Sequence, residues 1–365
     1  MTFTQRKHPL DTFYQAVKPS KQKDRKEGAV MTSKERFDKL LHFSPDLDRA
    51  PVVEWATWWT LTIDRWKQEG LPQQLSGDEI NAYWGQDKLH QFWQSPRDEG
   101  CPVAPGHGLP IIHNEEEYEA IHPHLYTDQL LDRMEKTIRT HLREHGDEGF
   151  AYWFTLEGFF WYPRTLFGIE DHLYAFYDYP ELMHRMNQEL ADFHKRTLEV
   201  IYSLVTPSFM TFAEDMSYNH GPMLSKEQFD EFMLPYYQQV VPIIRSHGTK
   251  VFIDTDGFVE PLIPWFLQAG IEGVLPLERM AGVDVNRIRQ TYPDFLMIGG
   301  FDKTVMHKGE AAMRAEFERL LPVIRSGGYI PSVDHQTPPD VDMDTYRVFM
   351  KLLREYTEQA GKDRA

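Results

Sequence analysis

The sequence predicts an α/β protein built as a distorted (β/α)8 TIM barrel with a helical N-terminal extension or insertion. Three observations carry that expectation. Short apolar runs alternate with amphipathic helical stretches along the 365 residues, the pattern of parallel βα units. Almost every apolar run ends on an acid, and strand ends converge on one face of a barrel. An open doubly wound sheet would advertise a glycine-rich phosphate turn, and "GGFDK" (299–303) lacks the GxGxxG spacing. Neither NAD nor PLP is therefore expected.

Taken in order, the first 30 residues carry seven Lys/Arg against three Asp/Glu, net +4, while the remainder carries −21. Residues 1–30 read as a basic leader ahead of one barrel domain spanning 31–365. The fold should start near "MTSKERFDKLL", with Ser33 as a helix cap and Glu35 in the first turn. Strands are expected at 50–55, 150–158, 207–215, 250–257, 272–278, 294–303 and 328–335. Residues 60–150 read as an irregular insertion. Between strands, "SKEQFDEFMLPYYQQVVPIIRSHG" (225–248) repeats apolar residues at helical spacing, and Gly248 stops it.

The net charge of −17 argues against nucleic acid, whose phosphates need a basic face. No apolar run approaches the roughly 18 residues of a membrane span. The start "MTFTQRKHPLDTFYQ" has no apolar core of a secretory signal. Cys101 is the single cysteine, so neither a disulfide framework nor a thiol cluster arises within the chain. A cytoplasmic protein acting on a small molecule, without membrane partners, is the expectation.

The acids at the proposed strand ends are Glu54, Glu157, Glu214 with Asp215, Asp254 with Asp256, Glu278, Asp302, and Asp334 beside His335. Like charges about 4 Å apart cost several kcal/mol at intermediate dielectric. Such a mouth must therefore bind a cation, pair with bases, or hold protons. Candidate bases are His220, His335, Lys303, Arg279 and Arg164.

At "FFWYPRTLFGIEDHLYAFYDYPELMHRM" (159–186) and "AEDMSYNHGPMLSKEQFDEFMLPYYQQVV" (213–241) the chain resembles the uroporphyrinogen decarboxylase superfamily, which also contains corrinoid-dependent methyltransferases. "GGFDK" and "GYIPSVDHQTPPDV" (328–341) resemble its later segments. The resemblance implies one distorted barrel and, by analogy, a homodimer. It also implies where the chain departs from the decarboxylases. Their arginine-rich signature after the first strand holds substrate carboxylates; here that place reads "PVVEWATWWTLTIDRW", with Glu54, Trp55, Trp58 and Trp59. The thiol methyltransferases hold zinc through a His-x-Cys pair and a later Cys. Asp254-x-Asp256 and His335 take those places, a set suited to Zn, Mn or Fe.

The reading that follows is metal-assisted methyl (group) transfer between a small-molecule or corrinoid donor and a nucleophilic acceptor, a corrinoid protein being one possible partner. Asp254, Asp256 and His335 are the expected metal ligands. Glu214, Asp256, Asp302 and His220 are the candidate catalytic groups. Glu54, Trp55, Trp58, Trp59, Glu157, Arg164, Tyr218, Glu278 and Lys303 are expected around the substrate. The alternatives are a decarboxylase or lyase on a small carboxylic acid, and a non-catalytic barrel that binds a small molecule.

Overall fold

The computed structural model describes residues 31–56, 58–146 and 149–363, so the basic leader lies outside the described residues. From Thr32 onward the chain forms one compact unit. It opens with helix Ser33–Leu41, whose cap is Thr32 rather than Ser33. The Thr32 hydroxyl accepts from the Glu35 amide, and the Glu35 carboxylate accepts from the Thr32 amide. Ser33 instead accepts from the Lys88 amide at 2.9 Å, at the entrance to the first strand.

Strands β1 (Leu89–Gln94), β2 (Ala151–Glu157), β3 (Phe209–Ala213), β6 (Lys250–Asp254), β7 (Gly273–Leu275), β8 (Leu296–Phe301) and β9 (Tyr329–Val333) form one curled parallel sheet in that order. A two-stranded hairpin, β4 (Ser217–Tyr218) and β5 (Gly221–Pro222), lies between β3 and β6 in the chain. Every residue of β2, β3, β8 and β9 is buried. Strands covered on both faces need apolar side chains on both, so they appear in the sequence as continuous runs.

Two expectations change. Residues 50–55 are extended but form no strand. Pro51 has no amide hydrogen, and the amides that follow are taken by side chains. Asp87 accepts from Val52 at 2.7 Å, Gln86 from Glu54 at 3.1 Å, and Ser332 from Trp55 at 3.3 Å. The segment fills the gap between β1 and β9 as an eighth, side-chain-bonded stave. Conversely, the supposedly irregular insertion contains β1, with Leu89 paired to Ala151 and Gln94 to Leu156.

The single helix expected over 225–248 is two, Lys226–Phe232 and Leu234–Ser246. Pro235 cannot donate to a preceding turn and so starts the second. Ser225 and Gln228 form the capping box of the first. The long helix Pro180–Leu204 packs against helices Asp128–His145 and Leu234–Ser246 on the outside of the sheet. Among the described residues no helix is long and apolar enough to cross a membrane.

Candidate functional site

β6 delivers the centre of the site. Asp254 is its last residue, paired with Ala213 of β3 and Leu275 of β7. Thr255 is buried and accepts from the Met216 amide at 3.0 Å, which fixes the turn. Asp256 then stands at the rim, its carbonyl accepting from the Ser217 hydroxyl at 2.5 Å. Gly257 follows with φ +82°, and a Cβ there would lie 2.6 Å from the Tyr218 backbone. Only glycine lets the two chains approach so closely. Its amide donates to Glu278 Oε2 at 2.8 Å and so aims that carboxylate across the rim. Leu277, in the left-handed region at φ +68°, turns the chain just before Glu278. Asp215 is likewise left-handed, at φ +46°. Non-glycine residues held there beside one cluster are a local strain that the surrounding structure maintains.

His335, just past β9, places Nε2 3.7 Å from Asp256 Oδ2. One donor atom each from Asp256, Glu278 and His335 lies within 4.8 Å of the others. Two carboxylates and an imidazole at that spacing fit a divalent ion of the Zn, Mn or Fe type. Asp254, expected in this set, is not in it. It lines the adjoining cavity of about 270 Å³ together with Asp215, Asp256 and His335. Glu278, expected beside the substrate, supplies the third donor instead. The cause is chain direction: Asp254 is still held in the ladder, while Glu278 is swung inward by the Leu277 turn.

The electrostatics follow from this crowding. Burial, then Asp256 and Asp215, push the Asp254 carboxyl well above the usual range. Burial, then Asp215 and Glu278, raise Asp256 to about 7, with Lys303 opposing. Asp334 rises to about 6 by burial, held back by Lys303 and by the Lys303 and Arg279 amides that donate to it. Burial, then Lys303, lower His335, so its imidazole is neutral and available as a ligand near neutral pH. Without a cation, the crowding favours the protonated forms of Asp254 and Asp256 relative to an ordinary aspartate.

Other expected site residues are spent on structure. Glu214 is buried, with its oxygens accepting from the amides of Phe159 (2.7 Å), Phe160 (2.8 Å) and Trp161 (3.0 Å) and from the Tyr237 hydroxyl. Glu54 is buried, accepting from the hydroxyls of Thr337 and Tyr346. Burial raises both Glu54 and Glu214 to about 7. Asp302 caps the short helix Lys303–Lys308 by accepting from Thr304 at 2.9 Å. Glu157 is buried and accepts from the Trp93 indole at 3.1 Å. Trp58 packs in a buried aromatic cluster with Trp66 and Tyr346, whereas Trp59 is exposed.

Closer to the mouth, Trp55 presents its ring edge to His335 at 6.3 Å between centroids and donates to the Val333 carbonyl. Lys303 Nζ stands 3.9 Å from Asp334. Tyr218 and the exposed His220 line a second opening bounded by Asp256 and Glu278. Arg164 donates to the Asp215 carbonyl at 2.8 Å and lines a cavity of about 520 Å³ with Arg97 and Trp161. Asp215 borders this cavity and both openings. Gln91, Trp93 and Trp153 complete the wall beside Asp254. Gln91 and Trp93 lie on β1, whose Leu-His-Gln-Phe-Trp-Gln has neither a continuous apolar run nor a strict alternation to mark it as a strand.

Comparison with known proteins agrees with this fold. The Uroporphyrinogen decarboxylase (URO-D) family matches residues 160–356, more than half of the chain. The chain is 27% identical over 199 residues to Uroporphyrinogen decarboxylase of Pseudomonas paraeruginosa, covering 50% of this chain and 51% of that one. It is 28% identical over 203 residues to the protein of the same name from Alcanivorax borkumensis, covering 52% and 53% respectively. The chain thus spans about half the length of the curated relatives it matches. Among solved structures, a methyltransferase from Methanosarcina mazei superposes over 90% of this chain and 99% of its own, with TM-score 0.62 and 13% identity. That likeness is one of fold. With the family match and the curled parallel sheet taken together, the chain belongs to the uroporphyrinogen decarboxylase family.

Proposed function

We propose that this chain is a metal-assisted group-transfer enzyme that moves a methyl group onto a thiol or hydroxyl acceptor. The observation that carries the reading is the convergence of Asp256, Glu278 and His335 within 4.8 Å at the mouth. A divalent ion held there would lower the pKa of an acceptor bound beside it and so make it a nucleophile at neutral pH. Burial and the neighbouring Asp256 and Asp215 favour the protonated form of Asp254, and neutralising that charge lets it lose a proton more readily. It is then placed to receive the acceptor's proton. Trp55, Trp93 and Trp153 line the cavity and limit water. The acceptor atom attacks the methyl carbon, and the bond to the donor breaks with its electron pair left on the donor. A corrinoid carried by a partner protein fits the donor role.

The test is methylcobalamin as donor with a panel of small thiols and alcohols, after reloading the chelator-treated protein with Zn, Mn or Fe(II). Expected are the loss of the methylcobalamin spectrum and a methylated acceptor. The rate should fall at least about 100-fold in His335→Ala, as for loss of a group that acts in the transition state. No methyl transfer across the panel, with CO2 released from a small carboxylic acid, overturns the proposal in favour of a carboxy-lyase. One observation favours that second reading: Arg97 and Arg164 line the cavity that meets the mouth at Asp215, where they could hold a carboxylate. Asp256, raised to about 7, would supply the proton to the carbanion.

A further inference from the structure

Away from the mouth, a second group of ligating side chains gathers on the outer face of β1. His90 is the second residue of that strand and points away from Leu89 and Gln91, which line a cavity that Asp78 also borders. It lies four residues, roughly 13 Å, below the strand end that reaches the mouth. Asp78, at the start of helix Asp78–Tyr83, places Oδ2 2.5 Å from His90 Nδ1. The His141 ring, buried on helix Asp128–His145, stacks on His90 at 3.9 Å and 26°. His145, one turn further along the same helix face, follows at 4.4 Å. Phe92, Phe150 and Tyr152 enclose these rings edge-on.

We propose that Asp78, His90 and His141 form a second metal site, separate from the mouth, for a borderline divalent cation such as Zn or Co. One donor atom from each lies within 4.8 Å of the others. A four-coordinate ion with bonds of about 2.0–2.2 Å brings its ligands to about 3.3 Å apart. The chemistry agrees. An aspartate against one imidazole either ligates with it or fixes its tautomer, as carboxylates do around metal-bound histidines. Such an ion would tie helix Asp128–His145 to the strand beside the side-chain-bonded gap of the sheet.

The full chain carrying Asp256→Asn and Glu278→Gln, which removes the mouth ligands, is stripped with chelator and titrated with Co(II) alone. Expected are the visible bands of tetrahedral Co(II) at saturation and a higher melting temperature. His90→Gln on that background should weaken Co(II) binding by at least about 100-fold, with the far-ultraviolet circular dichroism unchanged. His90 is at the edge of the cluster, so this variant should keep the fold where His141→Gln disturbs it. Absence of tetrahedral bands in the mouth-null protein overturns the proposal, as does binding that survives His90→Gln. Methyl-transfer activity plays no part in these readings, so failure of the function proposed above leaves this one intact.

Discussion

Asp256 shows how a single position joins stability to function. Its carboxyl is raised from 3.8 to about 7 by burial and by Asp215 and Glu278. Well below pH 3.8 it is protonated both folded and unfolded and adds nothing to pH dependence. Between 3.8 and about 7 the unfolded chain releases the proton and the folded chain keeps it, so stability falls as pH rises. Above that range the native state carries the full repulsion. The metal-free Asp256→Asn protein should therefore match wild type at low pH and melt progressively higher than wild type as pH approaches 7. Added Zn should reverse the order, because only wild type then gains the binding free energy. Melting curves across pH, with and without the ion, check both arms. A wild type that is more stable than Asp256→Asn at pH 8 without metal would refute the assignment.

At the scale of elements, Glu214 has a different task from Asp256 although both end strands. Three successive amides, Phe159 to Trp161, and the Tyr237 hydroxyl converge on one buried carboxylate. It therefore ties the loop after β2 and the start of helix Trp161–Phe167 to β3 and to helix Leu234–Ser246. Gly158 leaves room for it: a Cβ there would meet the carboxylate at 2.0 Å. Glu214→Ala should cost about 3–5 kcal/mol by stranding several buried donors, while Tyr237→Phe should cost about 1 kcal/mol. Urea titration checks this through the midpoint at constant slope; a wild-type midpoint for Glu214→Ala would show that other groups hold the turn.

The contrast also explains what the sequence could reveal. Buried parallel strands appear as apolar runs, so β2, β3, β6, β7, β8 and β9 were legible, and with them the rim of acids. β1 was not, because Gln91 and Trp93 face the mouth while His90 faces a polar cluster, leaving no continuous apolar run. The 50–55 segment has the run and lacks the ladder, since side chains take its amides. Which acids face one another was the hidden part. The turns at Gly257 and Leu277 aim Asp256 and Glu278 inward, and the three-dimensional approach of Tyr218 demands the first of these.

Over the whole molecule, the charge of −17 is concentrated in its effect where the strands end. Asp215, Asp254, Asp256 and Glu278 line the openings, with Asp334 buried behind them against Lys303 and with Arg164 close to Asp215. Burial of these carboxyls makes their mutual repulsion stronger than it would be at the surface, and salt screens it less. A porphyrinogen bearing eight carboxylates is repelled by that field on approach, whereas a divalent cation is attracted and a neutral donor is not repelled. Uroporphyrin should therefore fail to quench the tryptophans of the mouth, Trp55, Trp93 and Trp153, at any ionic strength that leaves the fold intact. Zn should quench or shift their emission at low concentration by binding beside Trp55, and the effect should vanish in His335→Ala. Saturable quenching by uroporphyrin in the metal-free protein would mean that cations elsewhere, Arg97 and Arg164 foremost, outweigh the acids. The large cavity rather than the rim would then be the primary recognition surface.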